Sequence, residues 1–160
     1  MLVLEVGAKN EDSAINSPFV GSKALTLVKK GSATLTLGYS CTMLEGSTVR
    51  VDEGTLELNT TSAFDAPVTV KSGAVLKGTG SVSYVAFEEG ATMGFAYPDA
   101  PVKGSTVDGI VAASWSGVRP TLANAPSVNG GKWKLRTKTV EGGTQFYAEF
   151  MPSGLMLIFR

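Results

Sequence analysis

Two pairs of adjacent carboxylates, Asp52-Glu53 and Glu88-Glu89, come closest in type and spacing to residues that do chemistry. Neighbouring carboxylates on a wall can ligate Ca²⁺, and in a groove they can divide acid and base roles. Each pair sits between an apolar residue and a glycine, as Val51-Asp52-Glu53-Gly54 and Phe87-Glu88-Glu89-Gly90. The same frame holds Lys29-Lys30 before Gly31 and Lys71-Ser72 before Gly73. Charge that changes sign from copy to copy is the pattern of a solvated, mutually compensating edge, so no metal site and no catalytic residue is expected here.

The remaining candidates do not assemble into a site. A polysaccharide lyase needs several Asp for Ca²⁺ and an Arg or Lys base. The arginines are Arg50, Arg119, Arg136 and Arg160, and the positions equivalent to Arg50 in later copies are Thr69 and Ala86. The absence of His excludes Ser-His-Asp and Cys-His catalysis and His-ligated zinc. The one cysteine, Cys41, has no intrachain partner and no adjacent cation to stabilise a thiolate, and reads as a small buried hydrophobe. Trp115, flanked by Ser114, Ser116 and Gly117, is the candidate for stacking on a sugar ring, whereas the other large aromatics read as fillers. No cofactor is expected.

The elements that would position these groups follow from the recurring frame. Its glycines, Gly31, Gly54, Gly73 and Gly90, fall 23, 19 and 17 residues apart. A second apolar residue precedes the last three corners by two positions, giving Val49/Val51, Val68/Val70 and Val85/Phe87, the period of a strand with one face inward. A new strand follows each glycine, clearest in Leu56/Leu58. The unit is strand, polar corner, strand, and alone it is too thin to hide its apolar face. Stacking puts Val49, Val68 and Val85 in one inner ladder and Val51, Val70 and Phe87 in another, which is a parallel β-solenoid. The stretch Asn59 to Ala66 is expected to bulge out at one corner. An antiparallel sandwich is the competing architecture, but it would not preserve the corner's position relative to the preceding strand.

The segment LTLVKKGSATLTLGYSCTMLEGSTVRVDEGTLELN, Leu25 to Asn59, resembles the autotransporter-associated β-strand repeat. That pattern runs lysine-x-Gly-small-x-Thr-Leu-x-Leu, a variable middle, then Thr-x-Val-x-x-Gly-Thr-Leu-x-Leu-Asn. The segment VTVKSGAVLKGTGSVSYVAFEEGATM, Val68 to Met93, is similar to what commonly follows in that family. The family's usual Asn-Thr-Tyr-Thr-Gly-Gly middle is replaced by Ser40 to Gly46. The resemblance implies a right-handed parallel β-helix in an exported bacterial surface protein, hence an extracellular or cell-surface location.

Beyond Tyr97 the frame is lost. Pro98, Pro101, Pro120 and Pro126 argue against continuous sheet, although Thr106 to Trp115 suits a further strand or partial rung around Gly109. From Lys132 alternation returns, with Trp133, Leu135, Thr137 and Thr139 opposite Lys134, Arg136 and Lys138, a turn at Glu141 to Gly143, an inward row of Phe146, Ala148 and Phe150, and a third strand over Leu155 to Arg160. Residues 1–97 are therefore expected to form the solenoid with its N-terminal strand, 98–131 an irregular transition and 132–160 an antiparallel β-meander that caps the end.

Met1, Leu2, Val3, Leu4, Glu5 and Val6 form a strand, with Leu2, Leu4 and Val6 on one face, that either makes the first rung, covers that end of the stack or completes a neighbouring molecule's sheet. They lack the basic and long apolar regions of a secretion signal, so export uses another signal or the chain is a piece of something longer. The composition agrees with an all-β chain: 160 residues, 43% apolar, 18% charged, with 19 Gly and 7 Pro. Fourteen basic residues balance fourteen acidic ones, so no global field draws polyanions and nucleic acid is not an expected partner. No apolar run reaches the ~20 residues of a membrane span. The expected function is that of a non-catalytic structural or adhesive module that associates with itself or with neighbouring modules. The alternative is a carbohydrate-binding or polysaccharide-degrading β-helix.

Overall fold

The computed structural model describes residues 2–60 and 64–154, and among them there are strands and no helix. Strands alternate between two sheets. One contains β1 (Leu2–Val6), β3 (Leu25–Lys29), β5 (Thr48–Val51), β7 (Val68–Val70), β9 (Ser81–Phe87), β11 (Thr106–Gly117), β14 (Gly143–Met151) and β13 (Lys132–Val140), in that spatial order. The other contains β2 (Ser13–Ile15), β4 (Thr34–Leu37), β6 (Thr55–Leu58), β8 (Val75–Gly78), β10 (Thr92–Met93) and β12 (Thr121–Leu122) in chain order. Every pairing from β1 to β12 is parallel; β14 runs antiparallel to both β11 and β13.

Period-two alternation decides which side chains meet. Leu4, Leu27, Val49, Val68 and Val85 stack in register along the first sheet, and Val51, Val70 and Phe87 stack beside them. Leu35, Leu56, Leu76 and Met93 form the facing ladder on the second sheet. From Leu27 onward all of these are buried, and both sheets contribute to one apolar cluster. The inner ladders expected from the sequence are therefore present.

The corners explain the glycines. In Lys71 to Ala74 and Glu88 to Ala91 the fourth N–H donates to the first carbonyl, at 3.1 and 3.0 Å. The third residues, Gly73 and Gly90, have φ of 77° and 85°, as a type II turn demands and only glycine adopts cheaply. The corners also stack, since Lys71 N–H donates to Val51 O and Glu88 N–H to Val70 O.

Three details depart from expectation. The first corner is one residue shorter than the others, so Lys29, not Val28, pairs with Val51 and takes an inner-ladder position. Lys29 is consequently fully buried instead of solvated. Second, the described part of Asn59 to Ala66 does not all loop outward. Phe64 and Ala66 are buried, and Phe64 bridges Val82 in parallel, because this corner has apolar surface to hide. Third, 98–131 contains the twelve-residue β11, whose C-terminal half pairs with β9 while its N-terminal half pairs with β14. The prolines flank this strand rather than interrupt it. At the register shift between Asp108 and Val111, a Cβ on Gly109 would meet Phe95 Cε1 at 2.7 Å, so glycine is required by close packing.

β13 and β14 form the expected hairpin about Glu141-Gly142, with Phe146, Ala148 and Phe150 buried. On β13 the alternation holds only near its start, where Trp133 is buried; Thr137 and Thr139 are exposed. The strand expected over Leu155 to Arg160 lies outside the described residues.

Candidate functional site

The N-terminal strand is fixed in its own chain. Each of Leu2 to Val6 pairs with a residue of β3, and Lys30 N–H donates to Val6 O at 2.8 Å. Beyond it, Asn10 Oδ1 accepts from Ser32 N–H and Asp12 Oδ1 from Thr34 N–H, both at 2.7 Å, so side chains tie the turn after β1 to the corner after β3. Asn10 has a φ of 58°, in the left-handed region that asparagine tolerates. β1 is the first strand of its sheet, and its other edge has no strand neighbour among the described residues. Leu2 is 62%, Val3 55% and Leu4 39% exposed, although Leu4 shares a ladder with buried Leu27, Val49 and Val68. An apolar strand with an open hydrogen-bonding edge is the surface that sheets use to add strands. Met1, the first residue of the expected assembly strand, lies outside the described residues.

The charged corners neutralise one another. Asp52 receives the Arg50 guanidinium through Nε at 2.5 Å and Nη2 at 3.0 Å, and Lys30 Nζ lies 3.0 Å away. Arg50, with Lys30, holds the Asp52 carboxyl below the usual carboxylate range. Glu53 Oε2 accepts from Gly31 N–H at 2.8 Å, and Lys71 pairs with Glu88 across the next rungs. Asp52, Glu53 and Glu88 are thus already engaged by cations or main chain. Lys29 serves the same corner from inside. Its Nζ donates to the carbonyl oxygens of Lys30, Gly31 and Glu53 at 2.6, 2.7 and 3.3 Å. Burial lowers its pKa, opposed by Glu53 and Asp12. Sequence reasoning missed this clamp; the signal that would have found it is the one-residue deficit between Lys29 and Gly31.

Trp115 continues the Val85 ladder through the β9–β11 register. Its half-buried ring packs edge-on against Phe146, at 5.4 Å between centroids, and against Phe87 at 6.5 Å. Such contacts hold one face of the ring in the packing. Cys41 is buried in the core cluster, and burial raises its thiol pKa, which favours the unreactive thiol. A cavity of about 520 Å³ beside Met43 to Thr48 and Asp65 to Pro67 carries two carboxylates, Glu45 and Asp65. Its Ser47 hydroxyl is occupied by Leu25 N–H at 3.1 Å.

Comparison with protein-family models, curated proteins and solved structures finds no match for the chain.

Proposed function

We propose that this chain is a rigid, catalytically inert module of an exported bacterial surface protein or fibre, built as a right-handed parallel β-solenoid and joined to its neighbours through β1. The antiparallel segment of β11, β14 and β13 would cap the opposite end of the stack, where Phe146 packs on Phe87 and Phe150 on Trp133. The alternation of strands between two parallel sheets supports the solenoid, and the repeat resemblance over Leu25 to Met93 supports the exported context. The observation that carries the reading is the exposure of Leu2 and Leu4, and of Val3 between them, although Leu4 heads a ladder that is buried from Leu27 through Val85. A further strand laid on β1 would satisfy its edge and remove this apolar surface from water.

Light scattering on the intact chain and on a Leu2→Lys/Leu4→Lys variant tests the proposal. The intact chain should gain mass with concentration, and the variant, with like charges along the edge, should remain monomeric. An intact chain that stays monomeric at millimolar concentration would overturn end-to-end joining.

A further inference from the structure

The outer face of the six-stranded sheet carries a groove unrelated to β1. Two cavities, of about 230 and 130 Å³, share Lys77, Gly94 and Phe95. Thr34, Thr55 and Val75 lie in register on β4, β6 and β8 and line the first cavity together with Tyr97 and Asn124. The groove therefore crosses successive strands along the stacking direction. With strands about 4.8 Å apart, its passage from β4 to the residues after β12 covers roughly 20 Å, a length suited to a chain of several units.

Gly94 opens the groove. It follows Met93, an inner residue, and so occupies an outward position beside Lys77 where a side chain would otherwise project. A Cβ there would meet Val75 Cγ1 at 3.3 Å and Lys77 Cβ at 3.4 Å, and its φ lies outside the left-handed region, so the missing side chain is not required by the backbone.

The lining has a definite chemistry. Its charges are already matched: Lys77 Nζ lies 3.6 Å from Glu57 Oε2, Asn59 Nδ2 donates to Glu57 Oε1 at 3.0 Å, and Asp108 pairs with Lys138 at 3.3 Å. An ionic ligand would have to displace these partners, which favours a neutral one. The threonine hydroxyls offer both donors and acceptors beside an apolar ledge of Val75 and Phe95. Tyr97 also lines this groove, its ring packed on Phe95 and Trp133 at 6.1 and 5.1 Å between centroids.

We propose that this groove binds a neutral oligosaccharide, whose sugar rings present hydroxyls at their edges and apolar C–H faces to the ledge. The inference goes beyond the scaffold role and does not depend on how β1 is used.

Isothermal titration of the full chain with cellohexaose, chitohexaose and maltohexaose tests it. At least one should bind, Gly94→Val should weaken that binding by about tenfold or more, and Thr55→Val, which removes a lining hydroxyl at nearly constant shape, should weaken it while melting no lower than the parent. The Leu2→Lys/Leu4→Lys variant should bind as the parent does. The proposal is overturned if none of the three saccharides binds at millimolar concentration. It also fails if Gly94→Val and Thr55→Val bind like the parent, or if only an acidic polymer such as polygalacturonate or an uncharged Gly-Ser peptide binds.

Discussion

Lys29→Met keeps an unbranched stem in the ladder beside Val51 but withdraws the ammonium from its carbonyl acceptors. Leaving a buried acceptor unmet costs ~1–3 kcal/mol, and two of the three contacts are short enough to count in full. Relief of the desolvation penalty offsets part of this, so a net loss of about 2–4 kcal/mol is expected. Lys29→Ala should lose ~2 kcal/mol more, because the apolar stem contributes about 0.8 kcal/mol per methylene. Urea denaturation measures both, with an unchanged slope showing that only stability has moved. In a chain of this size each kcal/mol lowers the melting temperature by ~2–4 °C, so calorimetry would resolve the Met variant as well. The pH dependence has a definite sign. Burial holds the Lys29 pKa below its ordinary 10.5, so over the interval between the folded and unfolded values the unfolded chain binds more protons than the fold. Stability from this group therefore rises as pH climbs through that interval, and the parent's advantage over Lys29→Met should widen toward alkaline pH. A Met variant as stable as the parent, at neutral pH and above, would refute the view that the buried Lys29 amine holds the corner.

Val70→Ala should destabilise by about 2 kcal/mol from lost methyl burial and the cavity left between Val51 and Phe87, whereas Thr69→Ala on the outer side of the same strand should change stability by less than ~0.5 kcal/mol in the same titration. Asp52→Asn probes the acid limb. Because Arg50 and Lys30 depress the Asp52 pKa in the fold, its contribution is present above the unfolded value of about 3.9 and is lost as pH falls through the folded value. Parent and variant melting curves should therefore differ at neutral pH and converge in acid.

The ladders were legible because period-two patterning and a glycine corner recur together; Val49, Val68 and Val85 can be stacked from the sequence alone. Lys29 was not, since a lysine before a glycine looks like a solvated corner until the register moves it inward by one residue. Phe64 was hidden in a polar stretch whose only strong apolar signal is the residue itself. Most of β11 was legible, but its change of partner from β9 to β14 is a tertiary choice that local pattern does not encode. The Gly94 groove was equally invisible, because its lining comes from residues spread from Thr34 to Asn124 that share no motif. For the open edge, the apolar face of Leu2, Leu4 and Val6 was readable, whereas the absence of a covering strand among the described residues emerges only from the strand order.

Amide hydrogen exchange in β1, followed by NMR from dilute to concentrated protein, tests the joining edge most directly. In dilute solution the β1 amides that do not bond to β3 should exchange at nearly open-chain rates, while those of β5 and β7 remain protected. Raising the concentration should slow the same β1 amides and leave β5 and β7 unchanged. Exchange of these outward-facing β1 amides that is independent of concentration would contradict the claim that this strand is where the module meets its neighbour.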